Sequence, residues 1–141
     1  MVKNSNEKIC ASHILIPKND PSGKLKDDKL KEFADKLDDA IVKDPKLLGA
    51  AAFKLSSCPS GQNNPALNQC INKINVKSEK TFQKRAEQCV MDYGGDLGCF
   101  TQKDVDPTFF DAASKLKVNE ITTKPVKTEF GYHIIQRKPV K

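Results

Sequence analysis

The residues best suited to chemistry near neutral pH are few in this chain, and they stand in a suggestive order. Its only histidines are His13 and His133, each inside a strand-like run, SHILI at 12–16 and FGYHII at 130–135. Imidazole both donates and accepts hydrogen bonds, and its charge changes close to neutral pH. Between them lies Cys58, in a CPSG loop at 58–61, open to a reactive role, an inert half-buried one or a disulfide. A glycine turn, GGDLGCF at 94–100, follows. A strand histidine taken alone is more often a satisfied core residue than a catalyst. The cysteines at 10, 58, 70, 89 and 99 show no CxxC spacing, so no zinc site is expected.

Elements must hold these residues. Residues 8–16 read as a strand, and on a two-residue period Ala11, His13 and Leu15 share a face. Residues 17–27 are turn chemistry. A helix is expected over 28–43, with Leu30, Phe33, Ala34, Leu37 and Ile41 forming one apolar stripe and Asp27 or Asp28 as its cap. Asp44-Pro45 reads as the cap and first position of a second helix, carrying Leu48, Ala51, Ala52 and Leu55. Asn64-Pro65 starts another, and Phe82, Ala86, Cys89 and Val90 continue at helical spacing, so 62–92 reads as a helical hairpin. A strand over 96–101, a helix over 107–116 and a closing hairpin from 124–128 to 131–138 complete the pattern. Helices segregate from a small antiparallel sheet, an α+β architecture. If the first and last strands are neighbours, both histidines stand on one face.

The chain has 141 residues, enough for one domain, 1–141, with a real core. No apolar run approaches the roughly 18 residues of a membrane helix. MVKNSNEKIC lacks the apolar segment of a signal peptide, so a cytoplasmic or nuclear location is expected, and a reduced compartment suits the thiols. The net charge of +6 is nearly all scattered lysine, without an aromatic-interleaved basic stripe, so nucleic acid is not expected as the main partner.

A histidine strand, a cysteine loop, a GGDLG turn and a second histidine strand, in this order, resemble the parvulin family of peptidyl-prolyl cis/trans isomerases. The resemblance spans residues 9–138. It implies a four-stranded antiparallel sheet surrounded by helices, with the histidine strands adjacent at the centre. It implies an enzyme that needs no cofactor and no metal and acts as a monomer on proline-containing protein segments. Matched residue by residue, His13, Cys58, Thr128 and His133 fall on the catalytic positions. Leu97, Val105, Phe109 and Phe130 fall on those that hold the substrate proline. The histidines could take part in the chemistry or simply orient the sheet with Thr128.

Two departures matter. Val105 stands where methionine is usual, which narrows the pocket. The loop after the first strand has Lys18, Lys24 and Lys26 but no arginine pair, so dependence on a phosphorylated residue before proline is not expected. The 62–92 insertion separates CPSG from GGDLG, and a lid, a docking surface and a tolerated addition all remain open for it. In a symmetric hairpin turning near residue 76, Cys70 and Cys89 would be offset by about 9 Å of helix rise. That exceeds the roughly 7 Å Cα limit of a disulfide, so free thiols are expected. The competing function is a non-enzymatic module that binds proline segments in a chaperone-like way.

Overall fold

Two strands buried on both faces form the spine of the structure. β1 (Ile9–Pro17) pairs antiparallel along its length with β4 (Gly131–Lys138). β2 (Asp96–Phe100) joins the free side of β1 and β3 (Val126–Thr128) that of β4, giving the order β2-β1-β4-β3, antiparallel throughout. The computed structural model describes residues 7–17 and 27–140, so Lys18, Lys24 and Lys26 lie outside the described residues.

Apolar side chains on both faces of the central strands call for a helical layer on each side. On one face, Ile14, Ile16, Tyr132 and Ile134 pack against α1 (Asp27–Lys43) and α2 (Leu47–Leu55) through Leu30, Ala34, Ile41, Leu48 and Ala52. On the other, Ile9, Ala11 and Ile135 meet Phe109, Phe110 and Ala113 of α5 (Pro107–Lys115), with Phe100 from β2. Among the described residues no helix is long and apolar enough to cross a membrane.

The α1 stripe differs from the expected one. Phe33 is 40% exposed, and Asp38 is fully buried instead. The helix is rolled so that the Leu30–Ala34–Ile41 line and the flank carrying Asp38 face the sheet. The second helix also starts later than its Asp-Pro signal. Asp44 N–H still donates to Ala40 O, so Asp44 belongs to the end of α1. Tight turns through Asp44 and Pro45 follow, and α2 begins at Leu47 without a side-chain cap.

The insertion is helical as expected. α3 (Pro65–Asn72) is capped by Asn64 and α4 (Glu79–Tyr93) by Ser78, each through a side-chain oxygen accepting a helix N–H. Its neck is tied shut. Asn64 Nδ2 donates to Ser60 O and Tyr93 O, both at 2.8 Å, and Gly95 N–H donates to Ser60 O at 3.0 Å.

The expectation of free thiols is corrected. Cys70 and Cys89 are disulfide-bonded, with their Cα atoms 5.8 Å apart. Only a tight symmetric turn would impose the offset of about 9 Å, roughly six residues of helix rise. Residues 73–78 are instead a six-residue, largely irregular connection, and at about 3.3 Å per extended residue it can bridge the offset. Cys10 and Cys99 face each other across β1 and β2 and are also bonded, leaving Cys58 as the free cysteine.

Gly49 of α2 lets α4 approach backbone to backbone. A Cβ there would collide with the carbonyl oxygens of Val90 and Met91, and one at Gly94 would collide with Gly49 O. Gly49→Ala must therefore push the insertion off the domain. We expect it to lower stability by about 1–3 kcal/mol, read by chemical denaturation.

Candidate active site

The strand register brings the histidines together. His13 pairs with Ile135 and Leu15 with His133, so the two imidazoles are diagonal neighbours on the α5 face. Their rings stack at 5.3 Å with 15° between planes, and Nδ1 lies 3.1 Å from Nδ1. Gly95 fixes the first of them from behind. It adopts φ +81°, and a Cβ there would strike His13 O; the neighbouring His13 N–H donates to Gly95 O at 3.0 Å.

One proton is shared along a chain of three groups. Thr128 Oγ1 accepts the Phe130 N–H at 3.2 Å and lies 2.8 Å from His133 Nε2, where hydroxyl and ring can each donate. The His133 tautomer sets that of His13 through the Nδ1–Nδ1 contact: when His133 donates from Nδ1, His13 carries its proton on Nε2, and when His133 accepts there, His13 Nε2 is left as an acceptor. That atom is buried and has no partner among the described residues.

Both rings stay uncharged over the working range. Burial, with a smaller contribution from His133, lowers the His13 pKa to about 3. Burial also lowers that of His133, to about 4, against the opposing pull of the Asp106 carboxylate. We expect kcat/KM to show no inflection near pH 6.5 and to fall only below about pH 5, as a pH–rate profile would record.

Phe109 closes the floor of the site. Its ring meets His13 edge-on at 5.3 Å and His133 at 5.1 Å. Asp106 aims it: Asp106 Oδ1 caps α5 by accepting the Thr108 and Phe109 N–H groups at 2.8 and 3.3 Å. Above Phe109 opens a cleft of about 480 Å³, lined by both histidines together with Leu97, Val105 and Phe130.

All four residues expected to hold the substrate therefore line one cleft with the histidine pair. Thr128 stands behind His133 rather than in the lining. Cys58 is not brought into the cleft lining; it is half-buried beside its turn, where its sulfur accepts the Ser60 hydroxyl at 3.2 Å. The charged side chains of the rim, Lys103, Asp104, Asp106 and Glu129, were missed by sequence reasoning. Asp106-Pro107 repeats the cap-and-proline signal of Asn64-Pro65 and could have revealed Asp106.

A histidine pair under an aromatic-floored cleft, on a sheet of order β2-β1-β4-β3, is the arrangement of the parvulin class. Comparison with known proteins agrees. Residues 69–138 match the family model of the rotamase, PpiC-type peptidyl-prolyl isomerase domain. The foldase protein PrsA of Latilactobacillus sakei is 58% identical over 45 residues, 30% of this chain and 15% of that protein. A structure from work on two SurA-like chaperones of Campylobacter jejuni, PEB4 and the periplasmic protein Cj1289, aligns with TM-score 0.58 and 25% identity. It covers 94% of this chain and 38% of that one. The parvulin NmPin of Nitrosopumilus maritimus aligns with TM-score 0.52 and 26% identity, covering 96% and 100%. The chain belongs to the parvulin family of peptidyl-prolyl cis/trans isomerases. Its matched stretches span less than a quarter of the curated relatives it resembles.

Proposed function

We propose that this domain catalyses rotation about X–Pro bonds in protein segments, without requiring phosphorylation. The single observation that carries this reading is Phe109, set edge-on against two neutral histidines at the floor of an apolar cleft. Rotation must overcome a barrier of about 18–20 kcal/mol that arises from amide resonance. Every ~1.4 kcal/mol removed from it is a tenfold gain in rate. An apolar cleft can grip the proline ring while the amide twists. The buried His13 Nε2 can then share a hydrogen bond, as donor or acceptor, with a group whose charge changes during the twist, and the low-polarity surroundings strengthen it. None of these steps calls for a cofactor or a metal.

The test follows cis/trans exchange of a proline peptide by NMR at catalytic concentrations of folded protein. Exchange faster than the uncatalysed rate supports the enzyme. Binding without acceleration supports the chaperone-like module instead, a reading in line with the SurA-like chaperones among the structural relatives.

Location follows the cysteines. Reduced thiols would suit the expected cytoplasm or nucleus, whereas two disulfides favour an oxidising compartment. Counting free thiols in protein isolated under alkylating conditions decides between them: one free thiol supports the oxidising compartment, five the reducing one. For the insertion, α3 walls a cavity of about 260 Å³ that shares Leu97 with the cleft, which supports a part in substrate recognition.

A further inference from the structure

The charge at the cleft runs against the charge of the chain. The protein carries a net +6, yet among the described residues the charged side chains lining the cleft are Asp104, Asp106 and Glu129 against Lys103. The adjoining cavity, reached across Leu97, adds Asp96 and, among the described residues, no basic one.

These carboxylates are mostly held in place. Asp104 Oδ2 accepts from the N–H and hydroxyl of Thr101 at 2.9 and 3.1 Å, bonds that keep its carboxyl below the usual range and therefore ionised. Asp106 is fixed by its cap on α5. Asp96 Oδ1 accepts the Gly98 N–H at 2.7 Å. None of the four forms an ion pair with another described residue, whereas acidic residues elsewhere do, as Glu32 does with Lys29 and Lys36. Holding these groups in place costs little further entropy on binding, so their field is available to a ligand. A second, independent sign of a ligand lies in the same cleft: the His13 Nε2, nine-tenths buried and without a partner.

We infer that the site selects X–Pro segments carrying lysine or arginine next to the proline and discriminates against acidic or phosphorylated residues there. This rests on the isomerase reading and adds its substrate class. Basic side chains gain from the exposed carboxylates of Asp104 and Glu129 acting together with the partly buried Asp106. A phosphate, at nearly −2, meets the same field with the opposite sign.

Otherwise identical peptides with Arg, Ala, Glu or phosphoserine flanking the proline, studied by NMR exchange with the intact chain, test this. We expect kcat/KM for the Arg peptide to exceed that for the Glu peptide about tenfold at low ionic strength. The ratio should shrink to about twofold at 1 M salt, where screening reaches about 3 Å. It should also collapse in the Asp104→Asn, Glu129→Gln double variant. Equal rates for Arg and Glu peptides at low salt, or a phosphoserine peptide that turns over fastest, overturn the inference. A ratio unmoved by salt overturns it too, and needs no variant to fold. Failure of the neutral Ala peptide to be accelerated at all overturns the isomerase reading itself, so the two failures are distinguishable.

Discussion

Phe109→Ala is expected to lower stability by about 3–5 kcal/mol and kcat/KM by on the order of 10²-fold. The two losses have one origin. Phe109 is buried and clusters with Phe100, Phe110, Ala113 and Ile135. It is also the side chain that both histidines meet edge-on. Truncation leaves a cavity under the cleft, so the proline ring loses its floor and the imidazoles lose their brace. Denaturant titration reads the first effect and exchange kinetics the second. Phe109→Leu serves as the control. It keeps most of the apolar volume, so stability should drop by less than about 1.5 kcal/mol, and most activity should remain. If the alanine variant, kept folded by mild temperature, retained wild-type kcat/KM, Phe109 would be core and nothing more.

The second large effect has the opposite sign. Asp38 is fully buried, neither of its oxygens has a partner among the described residues, and Asp35 and Asp39 are nearby. Burial first, and those two charges second, raise its pKa from 3.8 to about 7. Between these values the folded chain holds a proton that the unfolded chain has released. Asp38 therefore withdraws stability as pH rises from about 4 to 7, by up to about 4 kcal/mol. Asp38→Asn removes that penalty. We expect it to stabilise the protein by about 2–4 kcal/mol at pH 8 and to change little at pH 4.

The histidines pull the other way. Their folded pKa values of about 3 and 4 lie below the usual 6.5, so their contribution is complete above pH 6.5 and is lost as pH falls. Over about pH 4–6.5 the wild type sums opposing trends. Asp38→Asn should unmask a steeper acid loss, visible in denaturation midpoints across that range. A variant no more stable than wild type at pH 8 would mean that Asp38 is paired or hydrated in solution.

The site was largely legible because its parts are local patterns. A histidine at fixed parity in each strand, a glycine turn and a Pro-Thr-Phe-Phe helix start each read without knowledge of the fold. What connects them is register, and the resemblance to parvulins supplied that. Asp38 was not legible because helical periodicity credits apolar residues alone, and Phe33 fitted the stripe better than an aspartate. The Cys70–Cys89 bond was missed because the path of residues 73–78, not helix rise, sets the distance between those cysteines. The acidic rim was overlooked because a count over the whole chain hides a local reversal of charge.

The tied neck of the insertion has a consequence for how such a chain could arise and be reworked. Residues Ser60 and Gly95 are joined by a hydrogen bond, with Asn64 clasping Ser60 and Tyr93 beside it. Entry and exit thus lie side by side, as they do at the base of a removable cassette. A segment with adjoining ends can be gained, lost or exchanged without altering the path of the chain on either side. The same scaffold could therefore accept a different cassette at the edge of its cleft while the histidine strands keep their register.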